Sequence, residues 1–205
     1  MDYEALAKKE VVERVIGVFA ERGVTAELVS NRVEALERVK TLIPQNASIM
    51  NGSSRTLEEI GFVDYLKAGQ HSWNNLHQAI LEEKDPQKQA ELRKQSVLSD
   101  YYLGSVHGVA ETGEMVIASN SGSQLPHIVF TSPNLLFVVG TQKIVPDLEA
   151  AIKRVREYVL PLEDKQMKSM GASGSAISKL LIFEKEPDFM KRTVRVIFVQ
   201  EKLGF

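Results

Sequence analysis

Cysteine is absent from the 205 residues. That excludes disulfides, cysteine-ligated zinc, cysteine-ligated iron–sulfur clusters and thiol catalysis within this chain. Long apolar runs are absent as well, and no stretch approaches the roughly 18 uninterrupted apolar residues of a membrane span. Neither sign of charge is in excess: 25 Lys and Arg face 27 Asp and Glu, for a formal net charge of −2. A chain so balanced has no electrostatic reason to seek nucleic acid. Its basic spots, Lys8-Lys9 and Lys191-Arg192, have acids nearby and read as solvated faces. The opening Met1-Asp2-Tyr3-Glu4 lacks a basic n-region and an apolar h-region, so a cytoplasmic location is expected. Internal repeats, low-complexity tracts and sharp composition shifts are also missing.

What remains is an ordinary globular composition, 43% hydrophobic and 25% charged. The size suits one domain over residues 1–205, with the helix-rich part up to about residue 98 integral to it. Residues 3–22 have helical periodicity through Leu6, Val12, Val15, Ile16 and Phe19, and Gly23 is a natural stop. Residues 24–29 read as a strand. A helix capped by Ser30 or Asn31 runs to about Leu42, ahead of Pro44. Residues 47–50 form a second strand, and 57–60 look helical. Residues 73–98 predict two polar helices, with Pro86 at the first position of the second. Residues 101–110 and 115–118, around Glu111-Thr112-Gly113-Glu114, read as a β-hairpin. Residues 135–139 are apolar throughout, as a buried central strand is. A helix over 147–159 is expected to break at Pro161, with 165–179 as a loop or mobile arm. Residues 194–199 make a closing strand. The alternation of helices and strands favours an α/β layered sheet.

Two Gly/Ser loops stand at strand ends. In Gly52-Ser53-Ser54-Arg55-Thr56, glycine allows close backbone approach, hydroxyls supply hydrogen bonds, and Arg55 offers a charge-assisted contact. The Gly-Lys-Ser/Thr ending of a Walker A loop is missing. Ser121-Gly122-Ser123 has the same chemistry. Gly104 and Ser105 join this ligand-binding set, and Lys143, just past the buried strand, can meet an anion. Each loop also reads as an ordinary capped turn. Ligands of α/β folds lie beyond the carboxyl ends of strands, which favours one shared pocket. Asp100 and Glu111 are the candidate catalytic carboxylates, although turn chemistry explains both. The histidines His71, His77, His107 and His127 show no metal-binding spacing.

Taken in order, five segments resemble the LUD domain family, named for lactate utilisation: 51–61, 100–109, 111–113, Ser121-Gly122 and 140–150. The closing residues 199–205 are similar too. The resemblance implies a three-layer α/β/α sandwich with a mostly parallel, mixed sheet. That fold is shared with ribose-5-phosphate isomerase, glucosamine-6-phosphate deaminase and CoA transferases, whose Gly/Ser loops hold phosphate or CoA-ester groups. By position, Gly52, Ser53, Ser54 and Thr56 match that loop, and Ser121, Gly122 and Ser123 form a second wall. CoA transferases of this fold use a glutamate nucleophile, for which Glu111 is the position to test. Many relatives carry a cysteine-rich segment after the helix matching 147–159; here residues 169–176 contain none.

The function expected is binding of a small anionic metabolite, as an accessory subunit in lactate utilisation beside iron–sulfur proteins. The alternatives are a sugar-phosphate isomerase-like or CoA transferase-like enzyme, and a non-catalytic module docking a partner through residues 73–98. The sequence does not identify a cofactor beyond excluding a cysteine-ligated iron–sulfur cluster or zinc in this chain, and a homo-oligomer is compatible with a chain of this size.

Overall fold

The structure, a computed structural model, describes all residues from 1 to 205. Its elements begin with α1 (Lys9–Glu21), β1 (Val24–Val29), α2 (Arg32–Leu42), β2 (Ser48–Asn51), α3 (Arg55–Glu59), α4 (Phe62–Lys67) and β3 (Asn74–Asn75). Then come α5 (Leu76–Glu82), α6 (Pro86–Gln95), β4 (Tyr101–Gly104), β5 (Gly108–Ala110), β6 (Met115–Ser119), β7 (Asn134–Gly140) and β8 (Ile144–Val145). The chain closes with α7 (Leu148–Arg154), α8 (Leu160–Ser169), β9 (Lys179–Phe183) and β10 (Thr193–Val199).

Caps set several of these boundaries. The Asn31 side chain accepts from the Glu34 N–H at the start of α2. Asp85 accepts from the Gln87 and Lys88 N–H groups ahead of Pro86, which opens α6. Each such cap contributes about 1 kcal/mol. Gly23, at φ +71°, ends α1 in the left-handed region that favours glycine.

Six parallel strands form the main sheet in the order β1-β10-β7-β4-β2-β3. The apolar run of β7 sits inside it, between β10 and β4, and alternating residues serve opposite faces. Leu135, Phe137 and Val139 pack with Val12, Val15 and Phe19 of α1. Leu136 and Val138 pack with Ala35 and Val39 of α2 and Leu57 of α3. Each fully buried side chain of this kind contributes roughly 1.5–3 kcal/mol. A second sheet, ordered β8-β5-β6-β9, mixes parallel and antiparallel pairs. Its Val109, Met115 and Ile117 share the core on the α1 side, and α7 covers its other face through Ala151. The α/β architecture of the sequence reading is present, with the strands divided between two sheets.

Four local expectations are corrected. Residues 3–8 lie outside α1 and Leu6 stays exposed; the stretch is held instead by Tyr3 against the Tyr158 ring and by the Ala7 carbonyl accepting from Gln200 Nε2. The expected hairpin exists only as β5–β6; β4 belongs to the main sheet, and Ser105-Val106-His107 carries the chain between the sheets. Pro161 does not end the helix. Residues Val155–Val159 form a π-turn that runs on into α8, and Pro161 falls in the first turn of α8, so the helix continues through the proline. Residues 165–169 are therefore helical, Lys179 begins β9, and only 170–178 are irregular. No helix is long and apolar enough to cross a membrane.

Candidate functional site

Because the main-sheet strands are parallel, their carboxyl ends share one edge. The chain segments after β2, β4, β7 and β10 gather there and, with the turn after β6, enclose a cavity of about 370 Å³. The β2 segment contributes Gly52, Ser53, Ser54, Arg55 and Thr56, and the β4 segment contributes Gly104, Ser105, Val106 and His107. The β6 segment adds Ser119, Asn120, Ser121, Ser123 and Gln124; Lys143 and Phe205 complete this side. Space is tight where Tyr102 crosses between the loops. A Cβ on Gly52 would stand 3.1 Å from the Tyr102 hydroxyl, and one on Gly104 would stand 3.2 Å from the ring.

Lys143 forms the floor. It is 3% exposed, and its Nζ donates to Thr56 Oγ1 and Ser105 Oγ, each at 3.1 Å. No carboxylate lies within ion-pair distance of it. Burial, reinforced by the nearby Arg154 cation and opposed by Glu59, lowers its pKa to about 7. The tail packs directly over this floor: the Thr56 hydroxyl donates to the Leu203 carbonyl, as does Gln142 Nε2. Gly204 has φ +63°, and a Cβ there would meet Thr56 Oγ1 at 2.4 Å.

His107 sits in the recessed wall. Its Nδ1 accepts the Ala118 N–H at 3.1 Å, which assigns the remaining ring proton to Nε2. Desolvation, then the Lys143 and Arg154 charges, lower its pKa to about 3, so the ring is neutral. Arg154 is fully buried and donates from Nη1 to the His107 carbonyl at 2.5 Å. Its guanidinium lies over the Tyr158 and Tyr3 rings, at 5.1 and 5.9 Å, rather than against a carboxylate.

The opposite wall comes from the helix that Pro161 does not break. Val155, Val159 and Leu160 present apolar surface beside Ala176 and Ile177 of the irregular segment. Glu163 of α8 faces the same space; burial, and secondarily Glu58, hold its carboxyl above the usual range.

The structure thus brings together Gly52, Ser53, Ser54, Arg55, Thr56, Gly104, Ser105, Ser121, Ser123 and Lys143. Arg55 is engaged by Glu59 at 2.9 Å and Glu58 at 3.4 Å on its own helix. Gly122, at φ +87°, shapes the turn beneath the Lys179 side chain and does not line the cavity. Asp100 stands at the other end of β4, accepting from the Ser48 N–H and hydroxyl, which hold its carboxyl below the usual range. Glu111 pairs with Arg14 in the β5–β6 turn. Neither carboxylate lines the cavity. Sequence reasoning missed Tyr102, Glu163 and the apolar wall. Ending the helix at Pro161 removed Glu163 from consideration, and only the proline's tolerance of a first helical turn could have signalled it.

Comparison with known proteins agrees with this architecture. A crystal structure of a DUF162-family protein from Deinococcus radiodurans is similar, with a TM-score of 0.58 and 13% identity. The match covers 95% of this chain and 99% of that one. No curated protein matches. The family model of the LUD domain matches residues 12–199. Spanning most of the sequence and all but the tail of the cavity wall, that match means that the chain belongs to the LUD domain family.

Proposed function

We propose that the chain binds a small anionic metabolite in the cavity at the carboxyl edge of the main sheet. One observation carries this reading: Lys143 is buried on the cavity floor with hydroxyl partners and no carboxylate. Holding a charge there without a counter-charge is costly, so the amine sheds its proton near pH 7, and an entering anion supplies the partner that lets the ammonium form. Ser53, Ser121 and Ser123 add hydroxyls on the surrounding loops. The lactate-utilisation role in the family's name, with iron–sulfur partners, belongs to this same reading, so L-lactate and pyruvate lead the ligand series.

The test is a calorimetric and thermal-shift series over L-lactate, pyruvate, sugar phosphates, nucleotides and CoA esters. A ligand at 100 times its dissociation constant adds about 2.7 kcal/mol of stability. Binding is expected to disappear in Lys143→Met and to weaken in Ser121→Trp. An anion that binds Lys143→Met as tightly as the parent chain overturns the reading. Recovery of iron–sulfur proteins with the tagged chain from native cell extract tests the partner part separately.

A further inference from the structure

The hydrogen bonds around Lys143 permit a proton count. The Thr56 hydroxyl gives its proton to the Leu203 carbonyl at 3.3 Å, and the Ser105 hydroxyl gives its own to the Val106 carbonyl at 3.4 Å. Both hydroxyls therefore act as acceptors toward Nζ. A neutral amine has two N–H donors, matching these two acceptors, and keeps its lone pair. An ammonium carries a third N–H, for which neither hydroxyl remains and no other protein group is within hydrogen-bond distance. Glu59 does not hold the charge by contact, because its oxygens accept from Arg55 Nε and the Gly204 N–H. The amine is buried, faces the cavity and has the hydrogen-bond pattern of its nucleophilic form.

Its surroundings suit one further chemistry. A buried amine beside another cationic group is an activated nucleophile toward carbonyl carbon. Arg154 is that second cation. Two further polar groups stand in the same cavity: His107 Nε2–H, a hydrogen-bond donor, and the Glu163 carboxyl, which burial holds above the usual carboxylate range.

We propose that Lys143 forms an imine with a small anionic carbonyl compound, a 2-oxo acid or an aldehyde phosphate. The Nζ lone pair adds to the carbonyl carbon, and one N–H proton passes to the oxygen, giving a carbinolamine. The hydroxyl takes a proton from solvent or a cavity acid and leaves as water, giving the protonated imine. The second N–H proton then returns to that solvent or base, leaving the C=N bond. Atoms balance as amine plus carbonyl giving imine plus water, with no oxidant or reductant. The inference rests on the cavity being the ligand site and names the class of ligand it takes.

The experiment treats the full chain with pyruvate, glyoxylate or D-ribose 5-phosphate, each with sodium cyanoborohydride, and reads intact mass and then the modified peptide. The expected result is one saturable adduct per chain, on Lys143, with whichever carbonyl class fits. Its rate should climb as the pH passes about 7, far below the range where exposed lysines react. Lys143→Arg should abolish labelling, and Thr56→Val should slow it with the fold intact by circular dichroism. The unmodified chain already decides the matter. No adduct, or adducts on exposed lysines with Lys143 untouched, overturns the proposal. If anions bind by calorimetry without trapping, imine formation falls and the binding reading stands; if neither occurs, both fall.

Discussion

Lys143 Nζ lies 3.1 Å from Thr56 Oγ1, a contact that spans 87 positions of sequence. It joins the segment after β7 to the segment after β2, and Ser105 Oγ adds the segment after β4 at the same distance. The cavity floor exists because three parallel strands end side by side.

This contact carries a cost that pH reveals. The folded pKa of Lys143 is about 7 against an ordinary value of 10.5. Between these values the unfolded chain holds a proton that the folded chain has released, so stability rises with pH across that window. Below about pH 7 both states are charged and the cost is fully present. Denaturant melts from pH 7 to 10 should show this rise on top of other groups, and Lys143→Met should flatten it. An unchanged slope in the variant counts against the burial assigned here.

The histidines act on the acid side. His127 is 1% exposed, stacked on Tyr102 and hydrogen-bonded at Nδ1 to Ser132 and Ser99. Burial lowers its pKa to about 4, and that of His107 to about 3. From about pH 6.5 downward the unfolded chain takes up protons that the folded chain refuses, so stability falls toward pH 4. A His127→Gln variant is expected to start less stable and to lose less between pH 6.5 and 4.

Gly204 keeps the tail against the floor. Gly204→Ala places a Cβ 2.4 Å from Thr56 Oγ1 in a left-handed backbone, a conformation that costs other residues roughly 1–2 kcal/mol. The expected outcome is a lower melting temperature and weaker ligand binding, since Thr56 and Lys143 must shift together. A variant with parental affinity would separate the tail from the site.

Glu111 provides the contrast. It pairs with Arg14 at a solvent-exposed turn, where such a pair is worth about 0–1 kcal/mol. Glu111→Gln should lose no more than that by chemical denaturation and leave ligand responses unchanged. A loss of ligand binding would return Glu111 to the site.

Much of the local structure was legible because short-range rules decide it. Asn31 and Asp85 cap helices, and Pro86 opens one, because each choice is settled within a single turn. The unbroken apolar run of β7 announced a strand buried on both faces. The two Gly/Ser loops and Lys143 were legible as ligand chemistry, and all but Gly122 line the cavity. The end of α7 was misread because Pro161 ends a helix in most contexts, and the π-turn ahead of it relieves the constraint only in this packing.

The sequence by itself determined composition, element types and the residues able to meet an anion, since these follow from side-chain chemistry and periodicity. Tertiary structure alone decided which carboxylates matter. Asp100 and Glu163 each offer a carboxylate in the sequence, but strand direction carries Asp100 to the far end of β4, and the continued helix turns Glu163 into the cavity. Tertiary structure also made Lys143 unusual. Its pKa is set by removal from water between Thr56, Ser105 and Gly204, and that burial arises only when segments distant in sequence close over one atom.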